Sequence, residues 1–289
     1  MRLMMAIRYC VAFLLTLSAC LLAQAAALKA ANGRTLKGES NFFSSVARLQ
    51  TGLAPPPRIV LAGSSMTGRL PDRSVGWAGV ANMGCDGGSA VTALKAIAAG
   101  TFPAPEAVVV EANTLRMGIG ARPGDIDRVI ESPWFWAGVH APLLGASARP
   151  ASLVYSALLA GRVGRYGKPV GHPLERQSPP TAWPAPVPLA ADAEAATTHV
   201  CDLLSVVRGR GVNVMLVRLP CRRERGGDWL DVAREVSRRT GCALLDLETL
   251  QGAADLQFTD GVHMNAASAA VCLDRIIAAY AAIQGDRAP

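Results

Sequence analysis

Three layers, with helices on both faces of a mainly parallel sheet of about five strands, are predicted by three observations. Apolar β-branched runs alternate along the chain with helical patterns, and strands joined through helices lie parallel. The clearest run, Ala107 to Glu111, holds three consecutive valines with no polar alternation, as a strand buried on both faces requires. Hydrophobic residues make up 51% of 289 and charged residues 18%, enough apolar surface for such a core and too much for a disordered chain. The α/β pattern is interrupted once, after the third strand.

The N-terminal segment, residues 1–25, reads as a signal peptide or an N-terminal anchor. Arg2 and Arg8 form a positive flank, Val11 to Leu22 an apolar stretch, and Ala23-Gln24-Ala25 a small-residue cleavage site. Leu17-Ser18-Ala19-Cys20 also fits a lipobox with Cys20 acylated, although the apolar stretch continues through Leu22. Left uncleaved, Tyr9 to Leu28 is just long enough to span a bilayer. All three readings place the body outside the cytoplasm, periplasmic or secreted. Beyond position 30 no window of about 20 residues is free of charges and turn residues, so no second span is expected.

Residues 26–56 read as an N-terminal extension, polar from Ala31 to Gly38 and then helical from Phe42 to Leu49. Pro55-Pro56-Pro57 stops that helix and opens the α/β domain, 57–289. Strands are expected at Arg58 to Ala62, Val80 to Met83, Ala107 to Glu111, Val212 to Leu219 and Ala243 to Leu247. Helices are expected at Ser89 to Ala99, Asp192 to Arg210, Trp229 to Thr240 and Ala266 to Ile283. An insertion at about 116–190, rich in proline and glycine, breaks the rhythm; it has short helices around Ile126 to Trp136 and Ser152 to Leu159. Insertions of that length commonly carry lids or binding loops.

In open parallel sheets ligands bind beyond the carboxyl ends of the strands. The first strand ends in Gly63-Ser64-Ser65, where a hydroxyl serves as nucleophile or as an ordinary helix cap. The second ends in Asn82-Met83-Gly84, where a glycine N–H can meet an oxyanion or simply make a turn. The third ends in Glu111-Ala112-Asn113, whose asparagine offers an amide donor or an Asx turn, and whose glutamate shifts the pH profile of the site, contacts substrate or is a solvated strand end. Before the last helix, Asp260-Gly261-Val262-His263 sets a general base three residues after a carboxylate that can orient it, or is an exposed loop histidine beside a capping aspartate.

Serine, glycine, asparagine and Asp-x-x-His in that order resemble the SGNH (GDSL-like) hydrolase and acyltransferase superfamily, over Arg58 to Asn113 and Asp260 to Asn265. The resemblance implies a flavodoxin-like three-layer fold and acyl transfer through an acyl-serine, with no cofactor and no metal. It implies Ser65 as nucleophile, His263 as base and Asp260 as the acid that orients it. Ser65, Gly84 and Asn113 would then form the oxyanion hole. The sequence departs from the family in having Ser64 where an aspartate is usual, which leaves Ser64 open as nucleophile by spacing. It also has Glu111-Ala112-Asn113-Thr114 in place of Gly-x-Asn-Asp. An exported esterase or O-acyltransferase acting on acyl groups of a carbohydrate or cell-envelope polymer is implied. A non-catalytic protein of the same fold, acting in polysaccharide assembly, is the alternative that the altered flanks also fit.

Other features carry less. The net charge of +7 is scattered apart from Arg222, Arg223 and Arg225, without the basic stripe of a nucleic-acid binder. His140, His172 and His199 lack partners at metal-ligand spacing. Trp134, Trp136 and Trp183 can stack on sugar rings or pack the insertion onto the sheet. Beyond Cys10 and Cys20, the odd set Cys85, Cys201, Cys221, Cys242 and Cys272 reads mainly as small core hydrophobes.

Overall fold

The computed structural model describes residues 2–31, 33, 37–118, 125–166, 191–221 and 228–285. The elements are α1 (Arg2–Ala30), α2 (Asn41–Leu53), β1 (Ile59–Gly63), β2 (Val80–Gly84), α3 (Val91–Ala98), β3 (Ala107–Glu111) and α4 (Asp125–Ile130). They continue through α5 (Pro133–His140), α6 (Pro150–Tyr166), α7 (Ala191–Gly209), β4 (Asn213–Arg218), α8 (Asp228–Thr240), β5 (Ala243–Asp246) and α9 (Ala266–Gly285).

The five strands form one all-parallel sheet in the order β2-β1-β3-β4-β5, the flavodoxin-like arrangement. Successive residues of each strand point to opposite faces, and both faces are apolar. Val60, Ala62, Met83, Val108, Val110 and Leu216 meet α2, α3, α7 and α8 on one side. Leu61, Val80, Val109, Met215 and Val217 face α9 on the other. Each large side chain so buried contributes about 1.5–3 kcal/mol, which is why the strands read as continuous apolar runs. The chain steps from β1 outward to β2, then back across to β3. That reversal opens a crevice at the carboxyl end of β1.

The segment expected to be an extension carries α2, which Ser40 caps by accepting a hydrogen bond from Phe43 N at 3.2 Å. Val46, Leu49 and Leu53 of α2 are buried in the core beside β2. Within the insertion, the helix expected over Ile126 to Trp136 is two. Ser132 accepts from Phe135 N and Pro133 takes the first helical position, so α4 ends and α5 begins there. Trp136 packs edge-on to Phe102 and Phe135, and Trp134 also packs against the core. Trp183, His172 and the basic cluster Arg222, Arg223 and Arg225 lie outside the described residues.

The N-terminal segment is one helix through Ala30, apolar and long enough to cross a membrane, and most of it is exposed. Its last turns touch the body. Gln24 Nε2 donates to Leu143 O at 3.1 Å and Ala148 O at 2.7 Å, and Leu28 is buried. Contrary to the sequence expectation, α9 also has the length and composition of a span. It carries Asp274 and Arg275, however, and lays Ala269, Cys272, Leu273 and Ile276 against the sheet. All seven cysteines are free thiols, and burial pushes those of Cys85 and Cys272 up to about 12 and about 11.

Candidate active site

β1 is flanked by β2 and β3, so the residues after it emerge between the ends of both neighbours. The turn after β1 presents two serines with different surroundings. Ser64 is buried, its hydroxyl donating to Glu111 Oε1 at 2.8 Å and accepting from Met66 N at 3.1 Å. Ser65 is more accessible, and its Oγ lies 2.8 Å from His263 Nε2. Position, not spacing, separates the two hydroxyls: that of Ser64 is buried against the Glu111 carboxylate, and that of Ser65 faces the His263 ring.

His263 is delivered by the loop before α9. An isolated bridge between Phe258 and Met264, both buried, closes this loop, and Thr259 N donates to His263 O at 2.8 Å. Asn265 then caps α9 by accepting from Ser268 N at 2.9 Å. Inside the loop, Asp260 Oδ1 accepts from the backbone N–H of Val262 and of His263, which fixes the carboxylate. Its Oδ2 lies 2.6 Å from His263 Nδ1. Partial burial alone would raise the Asp260 carboxyl. The hydrogen bonds from the His263 ring and the two N–H groups, with the charge of the imidazole, outweigh it and hold the carboxyl at about 2. An ionised Asp260 keeps the imidazole proton on Nδ1, leaving Nε2 to accept from the Ser65 hydroxyl.

Glu111 is neither a solvated strand end nor exposed to a substrate. It is 2% exposed and reaches under the serine turn. Its Oε2 accepts from Ser64 N at 2.8 Å, Thr67 N at 3.1 Å and Thr67 Oγ1 at 2.6 Å, while Oε1 accepts from Ser64 Oγ and Thr114 Oγ1. Gly63 is required by this approach, because a Cβ there would stand 2.5 Å from Glu111 Oε2. The carboxylate beneath the serine turn is thus supplied from the end of β3, not from the turn itself.

Among the expected oxyanion donors, the N–H of Ser65 meets no acceptor among the described residues. Asn113 Nδ2 donates one hydrogen to Leu219 O at 2.8 Å, while Oδ1 accepts from Leu219 N. The second amide hydrogen is left over. Gly84 differs from expectation. Its N–H is not free, because it donates to Asn82 Oδ1 at 2.9 Å. Asn82 is buried in β2, and its Nδ2 donates to Thr67 O and Leu70 O, both at 2.7 Å, so it ties the serine turn to the neighbouring strand. In the same β2 loop, Gly87 adopts φ +77 and its N–H meets no acceptor among the described residues.

Sequence reasoning missed Asn82, Gly87 and the role of Glu111. A polar residue inside an apolar strand, a glycine pair at a turn and a carboxylate closing a valine run were the available signals. Among the described residues no group of three His, Cys, Asp or Glu side chains is placed to hold a metal ion. No family model, curated protein or solved structure matches this chain.

Proposed function

We propose that this protein is an exported serine ester hydrolase or O-acyltransferase of the SGNH type, acting on acyl groups of a carbohydrate or cell-envelope polymer. One observation carries the reading: Ser65 Oγ, His263 and Asp260 stand in a continuous line of hydrogen bonds at 2.8 Å and 2.6 Å. Such a line is what turns a serine hydroxyl into a nucleophile near neutral pH.

In the first step Ser65 Oγ bonds to the ester carbonyl carbon as its proton passes to His263 Nε2. Negative charge develops on the carbonyl oxygen. The N–H of Ser65, the spare amide hydrogen of Asn113 and the N–H of Gly87 are the donors offered to it, each worth about 2.7–4 kcal/mol of barrier. The bond to the alcohol oxygen then breaks, and the alcohol leaves with the proton from Nε2. Water or a sugar hydroxyl next attacks the acyl-serine, giving its proton to His263, and Ser65 is released with its own proton restored. Water gives an esterase and a sugar hydroxyl a transferase, from the same residues. The N-terminal helix supports export, with Arg2 and Arg8 retained on the cytoplasmic side.

The test is turnover of p-nitrophenyl acetate, with and without an oligosaccharide acceptor. The wild type is expected to release nitrophenol and to show an acetyl adduct on the Ser65 peptide, while Ser65→Ala shows neither. A Ser65→Ala variant as active as the wild type would overturn the assignment.

A further inference from the structure

Helix α6 is built inside out. Ser152 and Ser156 face inward, and Ser152 is 0% exposed, its hydroxyl donating to Glu39. Arg149, just before the helix, adds a hydrogen bond to Glu39 at 2.8 Å and lies over the Phe43 ring. The outward positions are apolar: Ala151, Val154, Tyr155 and Leu158 recur at helical spacing, with Leu158 67% exposed. The adjoining turn exposes Leu143 and Leu144 as well. A water-facing helix has the opposite polarity, so this stripe needs an apolar neighbour.

The position of α1 identifies that neighbour. α1 touches α6 and the two short turns at 142–144 and 146–148, so the stripe and the membrane-length helix share one side of the body. Gln24, bonded to Leu143 O and Ala148 O, stands five residues before Lys29, which is about 7 Å along the helix. If Tyr9 to Leu28 fills the hydrocarbon layer, the Leu143–Leu144 turn therefore lies about 7 Å inside its outer boundary. That is the depth at which interfacial apolar faces rest.

We infer that α1 is retained as an anchor and that the face formed by Leu143, Leu144, Ala151, Val154, Tyr155 and Leu158 rests in the outer boundary of the bilayer that α1 crosses. The occupant is lipid acyl chain, with Tyr155 placed to put its hydroxyl among the headgroups. Such seating holds the body at a fixed orientation on the membrane. The inference rests on the exported reading in its anchored form and is independent of the chemistry at Ser65.

The test uses the full chain in phosphatidylethanolamine and phosphatidylglycerol nanodiscs that contain a diazirine-bearing acyl chain. After irradiation, lipid adducts are mapped by mass spectrometry and the intact mass of the chain is recorded. Adducts are expected on α1 and on the peptides carrying Leu143–Leu144 and Val154–Leu158. A Leu144→Glu/Leu158→Glu variant, checked for an unchanged melting temperature, is expected to lose the second set and keep the first. An intact chain with adducts on α1 alone overturns the seated face. So does protection of α6 from lipid adducts that grows with protein density and disappears on dilution to one copy per nanodisc, which assigns the stripe to a second copy. A chain beginning at Ala26 and recovered in the soluble fraction overturns both anchor and face, and leaves the esterase reading untouched.

Discussion

The serine turn is held by a buried carboxylate whose immediate partners are hydroxyls and backbone N–H groups, and those two kinds of donor respond differently to mutation. In Glu111→Gln the amide oxygen can take the place of Oε2, where the fixed N–H groups of Ser64 and Thr67 point. The amide NH2 then meets the hydroxyls of Ser64 and Thr114, which can rotate to accept. Glu111→Ala strands both N–H groups, at about 1–3 kcal/mol each. Thermal melts are expected to place Glu111→Gln close to wild type and Glu111→Ala well below it, with kcat falling in the same order. Equal losses in both would show that charge, not acceptor position, is what the turn needs. Asp260 makes a separate prediction. Its carboxyl is held at about 2, below the ordinary value near 4, so its contribution to stability is complete above about pH 4 and is lost as pH falls through 2. The melting difference between wild type and Asp260→Asn should shrink as pH falls from about 4 through 2. At neutral pH the same variant is expected to lose on the order of 10²–10⁴ in kcat, because the ring tautomer is no longer fixed.

Helix α2 is the element whose standing changes most between sequence and structure. Read along the chain, 26–56 is a polar stretch and one short helix before a proline run, with nothing to say that the helix returns to the sheet. In the fold, Val46, Leu49 and Leu53 complete the core beside β2, so α2 belongs to the folding unit. Leu49→Ala is expected to cost about 2–5 kcal/mol and to lower the melting temperature of the whole domain in one cooperative transition. An unchanged main transition would make α2 an appendage. The strands were legible because burial on both faces leaves a continuous apolar signature. The serine and asparagine were legible because they follow strand ends, and Asp-x-x-His because a carboxylate three residues before a histidine can reach its ring. The hydrogen-bond traffic between those ends was not. Whether Gly84 has a free N–H depends on the rotamer of Asn82, two residues away in the same strand, and no spacing rule carries that. The same holds for Glu111, whose burial depends on the turn that closes over it.

At the scale of the whole molecule, two apolar features point out of the fold among the described residues: α1 and the outward stripe of α6. The sequence shows the first plainly, since its length and flanks are linear properties. It hides the second, because the apolar positions of α6 look like a core-facing pattern until the buried serines reveal which side faces inward. The docking of α1 also has a consequence in time. Gln24 and Ala25 are helical and held against the body once the domain has formed, whereas a peptidase needs an extended, accessible strand of chain to cut. If the chain is exported with α1 as a cleavable signal, processing and folding compete for the same few residues: a peptidase that acts before the sheet closes would release the domain, and one that acts afterwards would meet a helix already docked, which leaves the anchor in place. On that reading the fate of the N-terminus would be set by the order of two events as much as by the residues at Ala23-Gln24-Ala25.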